Sequence, residues 1–197
     1  SGAIGMGVGK LNLSARPKDM PTKQAAAAIG QCELMYIYDK LFSQYHHVVA
    51  QILITAEDIA SPSLAGNFHN TLFRLLELGT LPIINENDTV ATAEMGIGDN
   101  DTLGAIVAKN IGADLLVLLS DIDGLYTADP HRDPDATLIP LVKKITPEME
   151  RAACGACSAF GTGGMQTKLS AAKIATEAGV SMIIANGSHP SILYDWM

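Results

Sequence analysis

The chain has 197 residues, of which 48% are hydrophobic and 17% charged, so it can bury a core and does not resemble a disordered segment. A formal net charge of −8 without any Lys/Arg cluster argues against a nucleic-acid-binding protein, which usually presents a basic face. The apolar runs are strand-length, which argues against a membrane-spanning helix, and an odd count of three cysteines argues against a secreted disulfide scaffold.

Helical and strand patterns alternate along the chain. Apolar residues at helical spacing predict helices, and short β-branched or apolar runs predict strands. In chain order we predict a helix at 21–45, a strand at 48–55, a helix at 67–78, a strand at 81–85, a helix at 101–110, a strand at 113–119, a helix at 164–178 and a strand at 180–185. Strands that are apolar at nearly every position indicate a mostly parallel sheet covered on both faces.

Two loops rich in carboxylates and amides lie close together in the sequence. Asn85-Glu86-Asn87-Asp88 follows a predicted strand, and Asp99-Asn100-Asp101 precedes a predicted helix. Asp99 or Asn100 could cap that helix, although capping needs only one such residue. Carboxylates and amides together can bind the ammonium and carboxylate groups of an amino acid, or can hold Mg²⁺ through oxygen ligands.

The segment Gly161-Thr162-Gly163-Gly164 stands directly before a predicted helix that carries Lys168. Glycines let backbone N–H groups approach a ligand, and the positive end of a helix favours an anion, so the pattern favours phosphate binding. A loop that merely needs positive φ is the alternative. The segment is not a Walker A motif, because no Gly-Lys-Ser/Thr ends it.

Three further patterns are weaker. Asp121, after the most apolar strand, indicates a functional acid, or alternatively the start of a type I turn. The glycine-rich stretch 1–10 fails both the Walker A and the dinucleotide-binding fingerprints, and we interpret it as a turn with close helix packing. Cys154 and Cys157 lack the second ligand pair of a zinc site, so we interpret them as two thiols in a loop of small residues.

Four motifs, in this order and spacing, resemble the microbial glutamate 5-kinases, also called γ-glutamyl kinases. They are Pro82–Thr92, Gly98–Asp101, Leu118–Pro130 and Gly161–Lys168. The resemblance covers essentially the whole chain. It implies the amino-acid kinase fold, a three-layer α/β/α sandwich with a mostly parallel central sheet. We expect residues 1–197 to form one such domain, N-terminally incomplete because the family's first strand precedes Ser1, and without the C-terminal PUA domain of many members.

The resemblance also implies an activity and its ligands. It implies ATP-dependent phosphorylation of the γ-carboxylate of L-glutamate, which is the first step of proline biosynthesis, in the cytoplasm. Mg²⁺ would be bound mainly through the nucleotide phosphates, with no metal ligands assigned to the protein. Proline is expected as feedback inhibitor and a homo-oligomer as the assembly, with no nucleic-acid or membrane partner.

Site residues follow from the same resemblance. Lys168 would stabilise the transferring phosphoryl group, and Asp101 would orient the catalytic lysines. The substrate-binding residues would be Ser1, Gly2, Ala3, Asn85, Asp88, Asp99 and Asn100. The ATP-binding residues would be Ser120, Asp121, Gly161, Thr162, Gly163, Gly164, Met165, Gln166, Thr167 and Lys168.

Two other functions stay open at this point. Another kinase of the same fold, acting on acetylglutamate or carbamate, would share the sheet and the lysines but should lack the loop pair 85–88 and 99–101. A non-catalytic sensor of proline or nucleotide would bind these ligands without turnover.

Overall fold

The computed structural model describes residues 2–91, 97–130, 132–154 and 164–196. The chain divides into two compact units, Ser1–Ile97 and Gly98–Met197, which are described in turn. Among the helices of the described ranges, none could span a lipid bilayer.

The first unit consists of four helices and one pair of strands within its described residues. They are α1 (Ala3–Lys10), α2 (Met20–Ser43), β1 (Val49–Ile54), α3 (Ala56–Ala60), α4 (Pro62–Glu77) and β2 (Leu81–Glu86). Helix α2 begins where the side chain of Asp19 accepts a hydrogen bond from the Thr22 N–H. The strands β1 and β2 pair in parallel, with Ile52 opposite Ile84. Their carboxyl ends therefore lie side by side.

Helices α1 and α2 approach so closely that two of their glycines touch the opposite backbone. A Cβ atom built on Gly7 would lie 1.8 Å from the carbonyl oxygen of Ala26, and one built on Gly30 would lie 1.7 Å from that of Ala3. The sequence predicted a turn with close helix packing over residues 1–10. The close packing is confirmed, but the turn is wrong, because tertiary contact outweighs the low helix propensity of glycine here.

The second unit holds α5 (Asn100–Ile111), β3 (Leu115–Ser120), α6 (Pro147–Cys154), α7 (Met165–Glu177), β4 (Ser181–Asn186) and a 3₁₀ helix (Pro190–Trp196) in its described part. Strands β3 and β4 pair in parallel, with Leu118 opposite Ile184. Helix α5 ends at Gly112, whose φ of 61° is the left-handed conformation that glycine adopts without strain.

The core of the second unit lies between α5, α7 and one face of the strand pair. Its buried members are small or branched residues: Ala105, Ala108, Leu118, Ala171, Ala175 and Val180. Leu116 packs against this cluster, whereas the alternate residues Leu115 and Leu119 remain 40% and 50% exposed. The sequence predicted coverage on both faces. In the described part of this unit, β3 is covered on the face that meets the two helices, because side chains alternate along a strand.

Every predicted helix and strand is present, and the predicted mixed α/β fold with parallel strands is confirmed. The largest difference in a boundary concerns α4, which begins at Pro62 rather than at 67. Proline is well suited to the first turn of a helix, where its missing N–H would have no partner. The motif of Cys154 and Cys157 runs from the end of α6 into residues outside the described part.

The close contact of α1 with α2 predicts opposite effects for two glycines of α1. Gly7→Ala should lower the free energy of unfolding by about 3 kcal/mol, because the added methyl group meets backbone atoms that cannot move aside. Gly9→Ala should raise the free energy of unfolding by about 0.5 kcal/mol, because no heavy atom lies within 4 Å of the new Cβ. Urea denaturation of both variants measures the difference. Equal effects would contradict this packing.

Candidate functional site

In the first unit, two buried polar residues end strand β2. Asn85 is 4% exposed and Glu86 is 9% exposed. The Nδ2 group of Asn85 donates a hydrogen bond of 2.9 Å to Oε1 of Gln31 on α2. The Nε2 group of Gln31 donates in turn to Oε1 of Gln51 on β1, at 3.3 Å. Buried amides need such partners, so this chain of three side chains connects the end of β2 with α2 and β1.

The loop that follows β2 is attached to the rest of the unit at several points. The Asn87 N–H donates to the carbonyl oxygen of Ile54 at 2.9 Å. Nε2 of Gln24 donates to the carbonyl oxygen of Ala91 at 3.2 Å. The carboxylate of Glu86 accepts a hydrogen bond of 2.5 Å from the Ile97 N–H. These contacts fix the position of the loop that contains Asp88.

Asp88 is a half-buried acid in this loop. Burial raises the pKa of its carboxyl group, the neighbouring Glu86 carboxylate raises it further, and the Arg16 guanidinium partly offsets both. The negative charge of Asp88 is therefore under-compensated. A bound ammonium group would supply the missing positive charge, which is the chemistry expected of a residue that binds the amino group of a substrate.

In the second unit, Asp99 caps helix α5. Its side chain accepts hydrogen bonds from the Thr102 N–H and from the Thr102 hydroxyl, each at 2.8 Å. The capping role considered from the sequence is confirmed for Asp99. Asn100 is exposed as the first residue of α5, and Asp101 follows it in the first turn.

Lys168 and Asp101 form a largely buried ion pair in the second unit. Nζ of Lys168 lies 3.1 Å from Oδ2 of Asp101, and their side chains are 8% and 21% exposed. The Thr167 hydroxyl lies 2.8 Å from the same carboxylate oxygen and 2.8 Å from the carbonyl oxygen of Gly164. A buried ammonium group needs an ionic partner, so Asp101 fixes both the charge and the position of Lys168.

Helix α7 begins at Met165, with Gly164 as its cap and no side-chain capping bond. The first N–H groups of a helix have no partner within the helix, and the helix dipole adds positive character there. Lys168 stands one turn into the helix. The start of α7 therefore combines hydrogen-bond donors with a full positive charge, which is the donor set that phosphate groups require.

Polar residues also follow β3 and β4, whose carboxyl ends are adjacent. The Ser120 hydroxyl donates to Oδ1 of Asp121 at 3.0 Å. Asp123 accepts from Nδ2 of Asn186 at 3.0 Å and from the Tyr126 hydroxyl at 3.2 Å. These bonds connect the loop after β3 to the end of β4, and Asp121 remains exposed beside them.

The structure brings some of the predicted site residues into contact with one another but not all of them. The pair Asp101 and Lys168 is in contact, and Ser120 contacts Asp121. Gly2 is exposed, whereas Ala3 is 1% exposed and lies in the packing of α1 on α2, so its side chain is not available to a ligand. Ser1, Gly161, Thr162 and Gly163 lie outside the described residues.

Two polar residues of the first unit were not found from the sequence as site components: Gln24 and Gln31. Glu86 was noted in the polar loop 85–88 but was not assigned to a ligand. Gln31 carried a signal in retrospect, because it lies on the same helix as the buried residues Ala26, Ala27 and Gly30, in a stretch otherwise made of small residues.

No group of three or more His, Cys, Asp or Glu side chains that could hold a metal ion occurs among residues 2–91, 97–130, 132–154 and 164–196.

The sequence and the fold both resemble those of known proteins. The model of the amino acid kinase family matches residues 1–186. A glutamate 5-kinase of Clostridium perfringens is 52% identical over 199 residues, covering 99% of this chain and 74% of the relative. One of Clostridium acetobutylicum is 56% identical over 187 residues, covering 95% and 70%. A crystal structure of an isopentenyl phosphate kinase substrate complex has a TM-score of 0.63 at 18% identity, covering 96% of this chain and 73% of that one, and shows a shared fold.

The raised pKa of Asp88 predicts a pH-dependent effect of Asp88→Asn on stability. A carboxyl group whose folded-state pKa is raised stabilises the fold below its ordinary pKa of 3.8, and this stabilisation is lost as the pH rises through the folded-state pKa. The variant should therefore be more stable than the wild type at neutral pH, with a difference that shrinks towards pH 3.8. Urea denaturation as a function of pH measures this difference.

Asp19→Asn is the matched control, because hydrogen bonds from Thr22 lower the pKa of Asp19. The Asp19 carboxylate stabilises the fold above its ordinary pKa of 3.8, and this stabilisation is lost as the pH falls through the folded-state pKa. The control should thus be less stable than the wild type at neutral pH. A pH-independent difference for Asp88→Asn would contradict the under-compensated charge.

Proposed function

This chain belongs to the amino acid kinase family, and from that premise we propose that it transfers the γ-phosphoryl group of ATP to the γ-carboxylate of L-glutamate. The products are L-glutamyl 5-phosphate and ADP, and the reaction is the first step of proline biosynthesis, in the cytoplasm. The observation that carries the proposal is an identity of 52–56% to glutamate 5-kinases over 95–99% of the chain. The whole chain, residues 1–197, is taken as one amino-acid kinase domain, because the family match runs through both units.

In the second unit, the nucleotide would be held by the ends of β3 and α7. The residues assigned to it are Ser120, Asp121 and 161–168. The first N–H groups of α7 and the Lys168 ammonium group supply donors and positive charge for the phosphates. Mg²⁺, bound mainly through those phosphates, neutralises part of their negative charge. The charge of Lys168 stays in place because Asp101 contacts it at 3.1 Å.

The transfer itself needs no acid or base from the protein. An oxygen of the γ-carboxylate attacks the γ-phosphorus atom, the bond from that atom to the bridging oxygen breaks, and ADP leaves with the electron pair. The carboxylate is already ionised, so no proton has to be removed. What remains is to hold two anions in line and to neutralise the charge on the transferred group. Lys168 performs the second task.

The acceptor amino acid would be bound by the substrate residues predicted from the sequence. In the first unit, Asp88 would contact the ammonium group, because its carboxylate is half-buried and under-compensated. Asn85 would accept or donate a hydrogen bond through an amide whose orientation is fixed. The other residues assigned to the acceptor are Ser1, Gly2, Ala3, Asp99 and Asn100. For Ala3, the backbone would make the contact.

Proline would inhibit by competing for the same loop. It presents the same α-carboxylate as glutamate and a positively charged nitrogen, which are the groups that Asp88 and the nearby amides would bind. It lacks a γ-carboxylate and cannot accept the phosphoryl group. The homo-oligomeric state stays a prediction.

The two alternative functions differ from this proposal in what they predict. A kinase for acetylglutamate or carbamate is not favoured, because the curated relatives described above are glutamate 5-kinases whose sequences are 52% and 56% identical to this chain. An acetylated amino group would also carry no positive charge for Asp88. A non-catalytic sensor would bind ATP and amino acids without forming ADP.

A turnover assay beside calorimetry separates these functions. We expect ADP formation from ATP that depends on glutamate and Mg²⁺, with little formation on N-acetylglutamate or carbamate. Proline should bind in calorimetry and should reduce the rate with glutamate. Binding of glutamate and ATP without ADP formation would identify a sensor, and ADP formation on N-acetylglutamate in preference to glutamate would identify a different kinase.

Replacing Lys168 should abolish most of the turnover. Lys168→Ala in the full-length protein should lower kcat by a factor of about 10²–10³, which is the usual effect of removing one group that stabilises a transition state. The KM for glutamate should change little. Steady-state kinetics measure both, and circular dichroism checks that the variant is folded.

Lys173→Ala is the matched control, because Lys173 lies on the same helix, is 46% exposed and pairs with Glu150. It should leave kcat within about twofold of the wild type, since exposed ion pairs contribute little. An unchanged kcat in Lys168→Ala would remove Lys168 from catalysis.

A further inference from the structure

Two glutamines of α2 contact the segment that carries Asp88, and neither belongs to the predicted site. Gln31 accepts the hydrogen bond of Asn85 at the end of β2, and Gln24 donates to Ala91 beyond Asp88. They are about two helical turns apart and therefore lie on one face of α2. This face of the helix thus holds the acceptor loop on both sides of Asp88.

The side chain of Gln31 is polar but buried, and burying a polar group costs free energy. It is 7% exposed on a helix whose other buried residues are Ala26, Ala27 and Gly30. A buried amide stabilises a fold only if its hydrogen bonds are made, and an apolar residue of similar size would fill the same space without that requirement. The reason for an amide at this position therefore lies with its partner, the buried Asn85, whose NH₂ group would lose this hydrogen bond beside an apolar residue.

Gln31 accepts one hydrogen bond and donates another. Asn85 donates to Gln31, and Gln31 donates to Gln51. Because the oxygen of Gln31 accepts from Asn85, the side chain of Asn85 presents its NH₂ group to α2. Rotation of the Asn85 amide by itself would break this buried hydrogen bond.

We propose that Gln31 is a positioning residue for the acceptor amino acid, acting through Asn85 and without contact to the substrate. It holds the side chain of Asn85 in place at the end of β2 through the hydrogen bond of 2.9 Å. Because Asn85 is assigned to glutamate binding, this role rests on the proposed function. Gln24 supports the same loop from its other side through Ala91.

Gln31→Met in the full-length protein tests this role, because methionine has a similar length and no hydrogen bonds to offer. The KM for glutamate should rise about tenfold, the effect of one misplaced hydrogen-bonding group, while the KM for ATP stays within about twofold. Gln44→Met is the control: Gln44 is exposed at the end of the same helix and should leave both constants unchanged.

Combination with Asn85→Ala separates positioning from a general structural role. If Gln31 acts through Asn85, then Gln31→Met should raise the KM for glutamate by less than about twofold in the Asn85→Ala background. A general structural role would raise the KM for glutamate by the same factor in both backgrounds.

Gln31→Glu provides a second variant, because it keeps an oxygen acceptor where Asn85 donates. Its KM for glutamate should stay within about threefold of the wild type. A tenfold rise in this variant overturns the inference, even where Gln31→Met does not fold.

The two proposals fail in different ways. A wild-type protein that forms no ADP with glutamate overturns the proposed function and with it the role of Gln31. An active wild type whose Gln31→Met variant keeps the wild-type KM for glutamate overturns the role of Gln31 alone.

Discussion

The ion pair of Lys168 with Asp101 is the contact on which the chemistry proposed for this protein depends. An ammonium group that is nearly buried would destabilise the fold without a carboxylate beside it. The two residues come from different helices, so α5 and α7 must approach closely near their first turns. Alanines make this approach possible: Ala105 follows Asp101 by one turn, Ala171 follows Lys168, and both are fully buried in the same core. The packing of small side chains therefore sets the position of the Lys168 charge, to which we assign the catalytic role.

The residues of the first unit that are proposed to bind the acceptor rely on different interactions. In the first unit, neutral amides fix geometry, and a single half-buried acid, Asp88, supplies the charge. Burial and the neighbouring Glu86 carboxylate raise the pKa of Asp88, so its negative charge costs stability. In the proposed function, an amino acid with a free ammonium group would relieve that cost on binding. The proposed selectivity for such an acceptor follows from this uncompensated charge, and the hydrogen bonds from Asn85 through Gln31 to Gln51 hold the neighbouring amide in place.

Much of the fold and part of the site could be predicted from the sequence. Periodicity located the strands and most helices, and the motif order located Lys168 and Asp101, although these residues are far apart in the chain and their contact depends on packing. Helix α1 was missed because its glycines resemble those of a turn. The close backbone contacts at Gly7 of α1 and Gly30 of α2 explain why glycine stands at these positions. Gln31 was missed because a single amide in a helix usually faces solvent. Leu119 was expected to be buried, but it lies on the face of β3 opposite α5 and α7.

The identity of the phosphorylated product tests the central claim most directly. An acyl phosphate reacts with hydroxylamine, so the protein, ATP, Mg²⁺ and glutamate should give γ-glutamyl hydroxamate in an amount equal to the ADP formed, as measured by mass spectrometry. Glutamate whose γ-carboxylate carries ¹⁸O should pass label to the phosphate that is released when hydroxylamine attacks the carbonyl carbon, because the C–O bond breaks and the bridging oxygen leaves with phosphorus. ADP formation without any hydroxamate, or hydroxamate formed at the α-carboxylate, would contradict phosphoryl transfer to the side chain of glutamate.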